Sequence, residues 1–199
     1  MSMRALFAAA LATVVVGAPV ALAASAADSS AASAPINPEK PVRLDRLFAA
    51  LRAAPLSAEG SAIEQDILAE WLRSGDVEVD GQMAAAIVGM NTGDLEGALA
   101  ILNDIVAKRP DYVEGWNKRA TIYYYMDDYE HSLADIAATL RLEPRHFGAL
   151  NGLGMIMINL GDRSRALMAF ERAYAADPAQ KSLPYTIEML KKAGGGKDI

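Results

Sequence analysis

The chain contains two histidines, His131 and His146, and an imidazole can bind a metal or move protons near neutral pH. A metal site needs three or four converging ligands, and neither histidine has a third donor at metal-ligand spacing. His131 is placed inside a helix and His146 in a turn, both as surface or turn residues without special chemistry. Gly194-Gly195-Gly196-Lys197 has the glycines and lysine of a phosphate loop. Asp198 follows where Ser or Thr is needed, and no helix remains to offer its N-terminus, so the stretch reads as a tail. Carboxylates stand close together at Glu64 and Asp66 and at Asp127 and Asp128, positions explained by solvation and helix capping. No serine sits in a nucleophile-elbow pattern. The absence of cysteine excludes thiolate catalysis, thiolate metal sites and disulfides. The expectation is a protein that is not an enzyme and has no catalytic, cofactor-binding or metal-binding residues.

Lys and Arg number 19 against 25 Asp and Glu, for a net charge of -6 and a pI near 5.0. Phosphate backbones are gripped by clustered positive charge, so nucleic acid is not the expected partner. The apolar fraction of 52% is ample for a core. Residues 1–26 begin with one early Arg4 and run apolar from Ala5 to about Leu22. They end in Ala21-Leu22-Ala23 and Ala24-Ser25-Ala26, the small-x-small pattern of a cleavage site. They are read as the signal peptide of an exported, periplasmic protein. Left uncleaved, the run approaches the ~20 residues that span a bilayer and would anchor the chain in the inner membrane. Loss of Arg4 with the leader leaves 18 basic against 25 acidic residues, or -7. Residues 27–41 are rich in Ala, Ser and Pro, carry nothing apolar enough to bury, and read as a flexible linker.

Three later stretches repeat one pattern: GDLEGALAILNDIVAKRP from Gly93, DDYEHSLADIAATLRLEP from Asp127 and GDRSRALMAFERAYAADP from Gly161. Each place returns after 34 residues, as at Leu99, Leu133 and Leu167, at Leu102, Ile136 and Phe170, and at Pro110, Pro144 and Pro178. Gly93 and Gly161 suit the left-handed turn that ends a helix, and Asp127 is among the few side chains that tolerate it. Asp94, Asp128 and Asp162 then cap a second helix. Small residues at Ala86, Ala120 and Gly154, and at Ala98, Ser132 and Ala166, let paired helices approach closely. The prolines stop each second helix.

This pattern resembles the tetratricopeptide repeat, whose W-x2-L-G-x2-Y…A-x3-F…P signature has the same period. The stretch with Leu153-Gly154, Gly161-Asp162, Ala166, Phe170, Ala173 and Pro178 is the closest match. Arg119 and Thr139 depart from it, standing where an apolar residue and Ala are usual. The resemblance implies an all-α fold, a right-handed superhelix of antiparallel helix pairs, with repeats at 79–112, 113–146 and 147–180. Trp116 and Leu150, one repeat apart, should have equivalent environments. Residues 42–78 read as a diverged helix pair capping the array, with Leu44, Leu47, Phe48 and Leu51 on one helix and Ile63, Ile67, Leu68 and Trp71 on the next. Residues 181–194 read as a capping helix over the last repeat and 195–199 as a tail.

In such superhelices the first helices line a concave face that takes an extended peptide or a partner helix. The register assigns to that face Met83, Ile87, Met90 and Asn91, then Asn117, Thr121, Tyr124 and Tyr125, then Asn151, Met155, Ile158 and Asn159. The set mixes adaptable apolar groups with amides that can donate to and accept from a backbone. Asn117 and Asn151, one repeat apart, are similar to the asparagine ladders of some family members. The carboxylate clamp of tetratricopeptide chaperone cofactors is not supported, since Lys118 and Arg119 are adjacent and the third repeat offers Gly148 and Gly152. The resemblance therefore implies a non-catalytic adaptor that binds a protein or peptide of the cell envelope. The alternatives are a self-associating structural subunit of an envelope complex and an accessory subunit presenting substrate to an enzyme. Nothing in the sequence fixes the oligomeric state or names the partner.

Overall fold

Gly93 (φ 85°), Asp127 (φ 58°) and Gly161 (φ 78°) all adopt the left-handed conformation in the computed structural model, which describes residues 39–54 and 57–194. In the second and third repeats the helix end is closed by the Asp128 and Asp162 amides, which donate to the Tyr123 and Met157 carbonyls at 2.9 and 2.8 Å. These are the backbone bonds that a left-handed terminus permits. The next residue caps the following helix in every repeat. The Asp94, Asp128 and Asp162 carboxylates accept from the amides of Gly97, His131 and Arg165 at 3.0, 3.2 and 2.8 Å.

The helices so defined are α1 (Lys40–Ala53), α2 (Ala58–Leu72), α3 (Val77–Thr92), α4 (Leu95–Lys108), α5 (Val113–Tyr125), α6 (Tyr129–Leu142), α7 (Phe147–Asn159), α8 (Arg163–Ala176) and α9 (Leu183–Gly194). No strand occurs among the described residues, and the fold is an all-α helical repeat solenoid. None of the described helices is long and apolar enough to cross a membrane. The segment 1–26 read as a signal peptide, most of the stretch read as a linker and the stretch 195–199 read as a tail lie outside the described residues. Lys40 already starts a helix, with Pro41 in the first turn where its missing N–H costs nothing. The last residues assigned to the linker are therefore helical.

Helices α3 with α4, α5 with α6 and α7 with α8 form the repeat pairs, and α9 packs on α8. One apolar cluster joins α3, α4, Tyr112 and Ile122 of α5. A second joins α5 to α9 through Ile136, Leu150, Phe170 and Leu183. The helices of the third pair approach so closely that a Cβ added at Gly154 would meet the Phe170 ring at 2.6 Å. Alanine favours a helix over glycine by about 1 kcal/mol, but Phe170 is only 3% exposed and has nowhere to move. We expect Gly154→Ala to destabilise the chain by about 1–2 kcal/mol in chemical denaturation, because overpacking of about 1–3 kcal/mol outweighs the propensity gain. Phe170→Leu in the same background should recover part of that loss.

Trp116 and Leu150 hold the same place, fourth in α5 and in α7, but not the same surroundings. Leu150 is 1% exposed in the core, whereas Trp116 is half-buried and donates from Nε1 to the Pro110 carbonyl at 3.0 Å. The cause is Arg119. Its guanidinium lies 5.0 Å from the Trp116 ring and grips the buried Asp135 with Nε and Nη2 at 2.7 and 2.8 Å. An ion pair thus replaces apolar filling in the middle repeat. Thr139, the other departure, is wholly buried and turns its hydroxyl back onto the Asp135 carbonyl at 2.9 Å.

The α1–α2 pair forms as expected but covers a different surface. It does not stack on α3 as one more repeat. Tyr112, His146 and Gln180 are equivalent residues of three successive turns, each leading from a second helix into the next element, and α2 runs along the edge these turns make. The Tyr112 hydroxyl donates to the Leu72 carbonyl at 2.6 Å, and the Trp71 ring stacks on His146 with centroids 4.0 Å apart. Further along, Phe147 and Ala179 join Phe48, Leu51, Ile67 and Trp71 in a third apolar cluster. Arg145 ties α1 to the same edge, reaching Asp45 at 2.7 Å and lying 4.3 Å over the Phe48 ring.

Candidate functional site

Consecutive first helices α5 and α7 lie side by side, and their facing residues are glycines on one helix and longer side chains on the other. Between them opens a cavity of about 200 Å³. Asn117, Thr121 and Tyr124 of α5 form one wall, and Gly148, Gly152 and Met155 of α7 the other. Ser132 and Ile136 of α6 close the floor. Four residues assigned to the concave face from register, Asn117, Thr121, Tyr124 and Met155, therefore share one cavity. A Cβ added at Gly148 would meet the His146 ring at 3.3 Å and one at Gly152 the Ile136 side chain at 3.5 Å, so the two glycines let α7 sit close to its neighbours.

The remaining assigned residues lie elsewhere. Tyr125 is 61% exposed at the end of α5, with its ring 5.9 Å from that of Tyr124. Asn159 donates to the Tyr124 and Tyr129 hydroxyls at 3.3 and 3.0 Å, and Ile158 is exposed beside it. Asn151 is turned toward the end of its own repeat, where its Nδ2 donates to Gln180 Oε1 at 2.7 Å. Met90 packs against the first repeat, Asn91 is exposed at the end of α3, and neither lines the cavity. Ile87 also packs against the first-repeat cluster. Met83 is only 2% exposed, a core residue beside Val79 and Leu102, which corrects its assignment to the concave face.

At the turn end of the cavity stands a buried polar cluster that the sequence did not suggest. Glu114, in the first turn of α5, and His146, the N-cap of α7, are 4% and 0% exposed. His146 Nδ1 accepts from the Ala149 amide at 3.1 Å, so Nε2 carries the hydrogen and donates to Glu114 Oε2 at 2.9 Å. Asn117 and Lys118 meet Glu114 Oε1 at 3.1 and 2.9 Å. Burial alone would raise the Glu114 carboxyl, but the hydrogen bond from His146 and the Lys118 ammonium hold it at about 2. Asn117 is thus held by a carboxylate on its own helix. His146 is no surface residue, because the indole of Trp71 covers it. One signal was present: Glu114 and His146 are 32 residues apart, close to the repeat period, which brings them to neighbouring helices at similar heights.

Among the described residues no group of three or more His, Cys, Asp or Glu could hold a metal ion. What the geometry offers is a lined trough with amide, hydroxyl and thioether groups. A family model of the tetratricopeptide repeat matches residues 147–180. A repeat-containing protein of Rhizobium etli is 36% identical over 154 residues, covering 77% of this chain and 76% of that protein. The chain belongs to the tetratricopeptide repeat family. Tetratricopeptide proteins generally act as adaptors between proteins. The wheat Hsp70-Hsp90 organizing protein is 27% identical over 114 residues, which is 57% of this chain but 20% of that protein. Among solved structures, the first tetratricopeptide domain of Spaghetti (RPAP3), bound to the HSP90 peptide SRMEEVD, superposes with a TM-score of 0.56 at 14% identity. It covers 59% of this chain and 94% of that one. MamA superposes with a TM-score of 0.55 at 15% identity, covering 80% and 85%. These two likenesses establish the shared tetratricopeptide fold.

Proposed function

We propose that this chain is a non-catalytic adaptor that takes an extended peptide or a helix of another protein into the trough between α5 and α7. The observation that carries the reading is the cavity itself. Two consecutive first helices supply Asn117, Thr121 and Tyr124 on one side and Gly148, Gly152 and Met155 on the other to one lined space. A peptide strand needs donors and acceptors for its backbone and adaptable apolar walls for its side chains, and both are present. The peptide-bound RPAP3 domain of the same fold supports the reading. The apolar run of residues 1–26 and its small-x-small sites support a place in the periplasm, so the partner is a protein of the cell envelope.

A photo-crosslinking residue installed in cells at Tyr125 or Met155 is expected to capture a partner, and the same residue at Met168 on α8 to capture none. Equal capture from Met168 would remove the trough from the mechanism. Tyr124→Ala with Met155→Ala should weaken capture about tenfold or more without changing helicity. Export is tested by the intact mass of the mature chain. Retention of Met1 to Ala23 would contradict a cleaved leader.

A further inference from the structure

A second cavity, of about 500 Å³, lies where the start of α1 and the end of α2 cross the α4–α5 and α6–α7 turns, and it shares no lining residue with the trough. Small-molecule sites commonly measure about 300–1,000 Å³. Leu44, Trp71, Val113 and Pro144 give it apolar walls, and Lys40, Arg109 and Arg145 bring cations to it. Its carboxylates are already engaged. Asp111 takes Nε and Nη2 of Arg109 at 2.9 and 2.8 Å, and Glu143 takes Nε and Nη2 of Arg145 at 2.8 and 2.9 Å.

One cation at the cavity lacks a carboxylate partner. The Lys40 ammonium donates to the Arg73 carbonyl at 2.7 Å and lies 5.9 Å from the Tyr112 ring, whereas Arg109 and Arg145 are each paired with a carboxylate. Burial pulls the Lys40 ammonium below its ordinary range, and Glu70, Glu114 and Asp80 only partly restore it, while Arg109 lowers it further. A positive charge is therefore held beside an apolar-walled pocket with neutral groups as its direct partners. Burying a charge without a counter-ion is costly, and a ligand that supplies an anionic acceptor removes that cost.

We propose that this cavity binds a small organic carboxylate, with its head on Lys40 and its aliphatic or aromatic body along Leu44, Val113 and Pro144. The site is independent of the trough and stands whether or not a peptide binds there. Octanoate, octan-1-ol and octylammonium share a chain length and differ in charge, so they separate head-group recognition from filling of an apolar hole. Trp71 fluorescence reports binding in the full chain carrying Trp116→Phe, which leaves Trp71 as its one tryptophan.

Octanoate is expected to bind saturably, one per chain and at least tenfold more tightly than the alcohol or the amine. Lys40→Gln should weaken it about tenfold, the scale of one charge-assisted hydrogen bond. The fold is not at stake in that variant, because the Lys40 ammonium engages only the Arg73 carbonyl and the face of Tyr112. Lys40→Arg, which keeps the charge, should restore most of the affinity, and Tyr124→Ala in the trough should leave it unchanged. Equal affinity for octan-1-ol, absence of saturable binding, retention of affinity in Lys40→Gln, or a loss in Tyr124→Ala would each overturn the assignment.

Discussion

Trp71→Ala is expected to free the α1–α2 hairpin from the repeats while leaving the repeats folded. The indole is 1% exposed and is held between three rings, with Phe48 at 5.9 Å, His146 at 4.0 Å and Phe147 at 4.9 Å. Truncating a buried tryptophan costs about 3–5 kcal/mol. Here that cost falls on the contact between the hairpin and α7, because Trp71 lies on α2 and two of its three ring partners belong to the α6–α7 turn and the start of α7. The repeat pairs keep their own clusters around Leu102 and Leu150. Urea denaturation should then split into an early step with a small m value, set by the little surface the hairpin exposes, and a later step for the array. Limited proteolysis should cut first within residues 40–72. A single transition at the original midpoint would mean that Trp71 does not hold the hairpin.

Glu114→Gln should lower stability at neutral pH by about 2–3 kcal/mol and have far less effect in acid. The carboxylate is held at about 2 in the folded chain against an ordinary 4.5. A depressed carboxyl contributes stability that is complete above the unfolded value and disappears as pH falls through the folded one. The window therefore runs from about pH 4.5 down to about pH 2. At about 1.36 kcal/mol per pH unit that gap corresponds to about 3 kcal/mol. Glutamine keeps an acceptor for His146 or Asn117 but loses the charge that meets Lys118, so it forfeits most of this amount. Denaturation midpoints of the two proteins should converge as pH drops across the window. Parallel curves would show that Glu114 is not held by its partners.

The repeat was legible in the sequence because its demands are local. A left-handed turn needs Gly or a tolerant residue such as Asp127, a free helix N-terminus needs an acceptor such as Asp94 or Asp162, and a close helix crossing needs Gly154. Each demand is met within a few residues of chain and recurs every 34 residues. The trough was partly legible for the same reason. Thr121, Tyr124 and Met155 line one cavity, but Met83 packs into the core and Asn151 turns to Gln180. Those choices depend on neighbours from other elements of the same repeat, Leu102 and Gln180, which no local pattern names. The packing of α1 and α2 was not legible, since its partners Leu72 and Tyr112, or Asp45 and Arg145, are 40 and 100 residues apart and follow no period. His146 was misjudged with it. A histidine in a turn looks solvent-exposed until an indole from outside the repeats is laid over it.

Modules that touch only their neighbours behave like links of a chain, and small rotations at each joint add up, so the pitch of the coil is the property that yields first. A rod pinned at Tyr112, at His146 and Phe147, and at Ala179 turns the joints into a truss. Twisting one joint then strains the others, and the curvature of the inner surface is set before any guest arrives. A host that need not be straightened or bent gives up less disorder on association. If a partner binds as proposed, its selection is accordingly that of a fixed gauge, favouring a guest whose shape already matches.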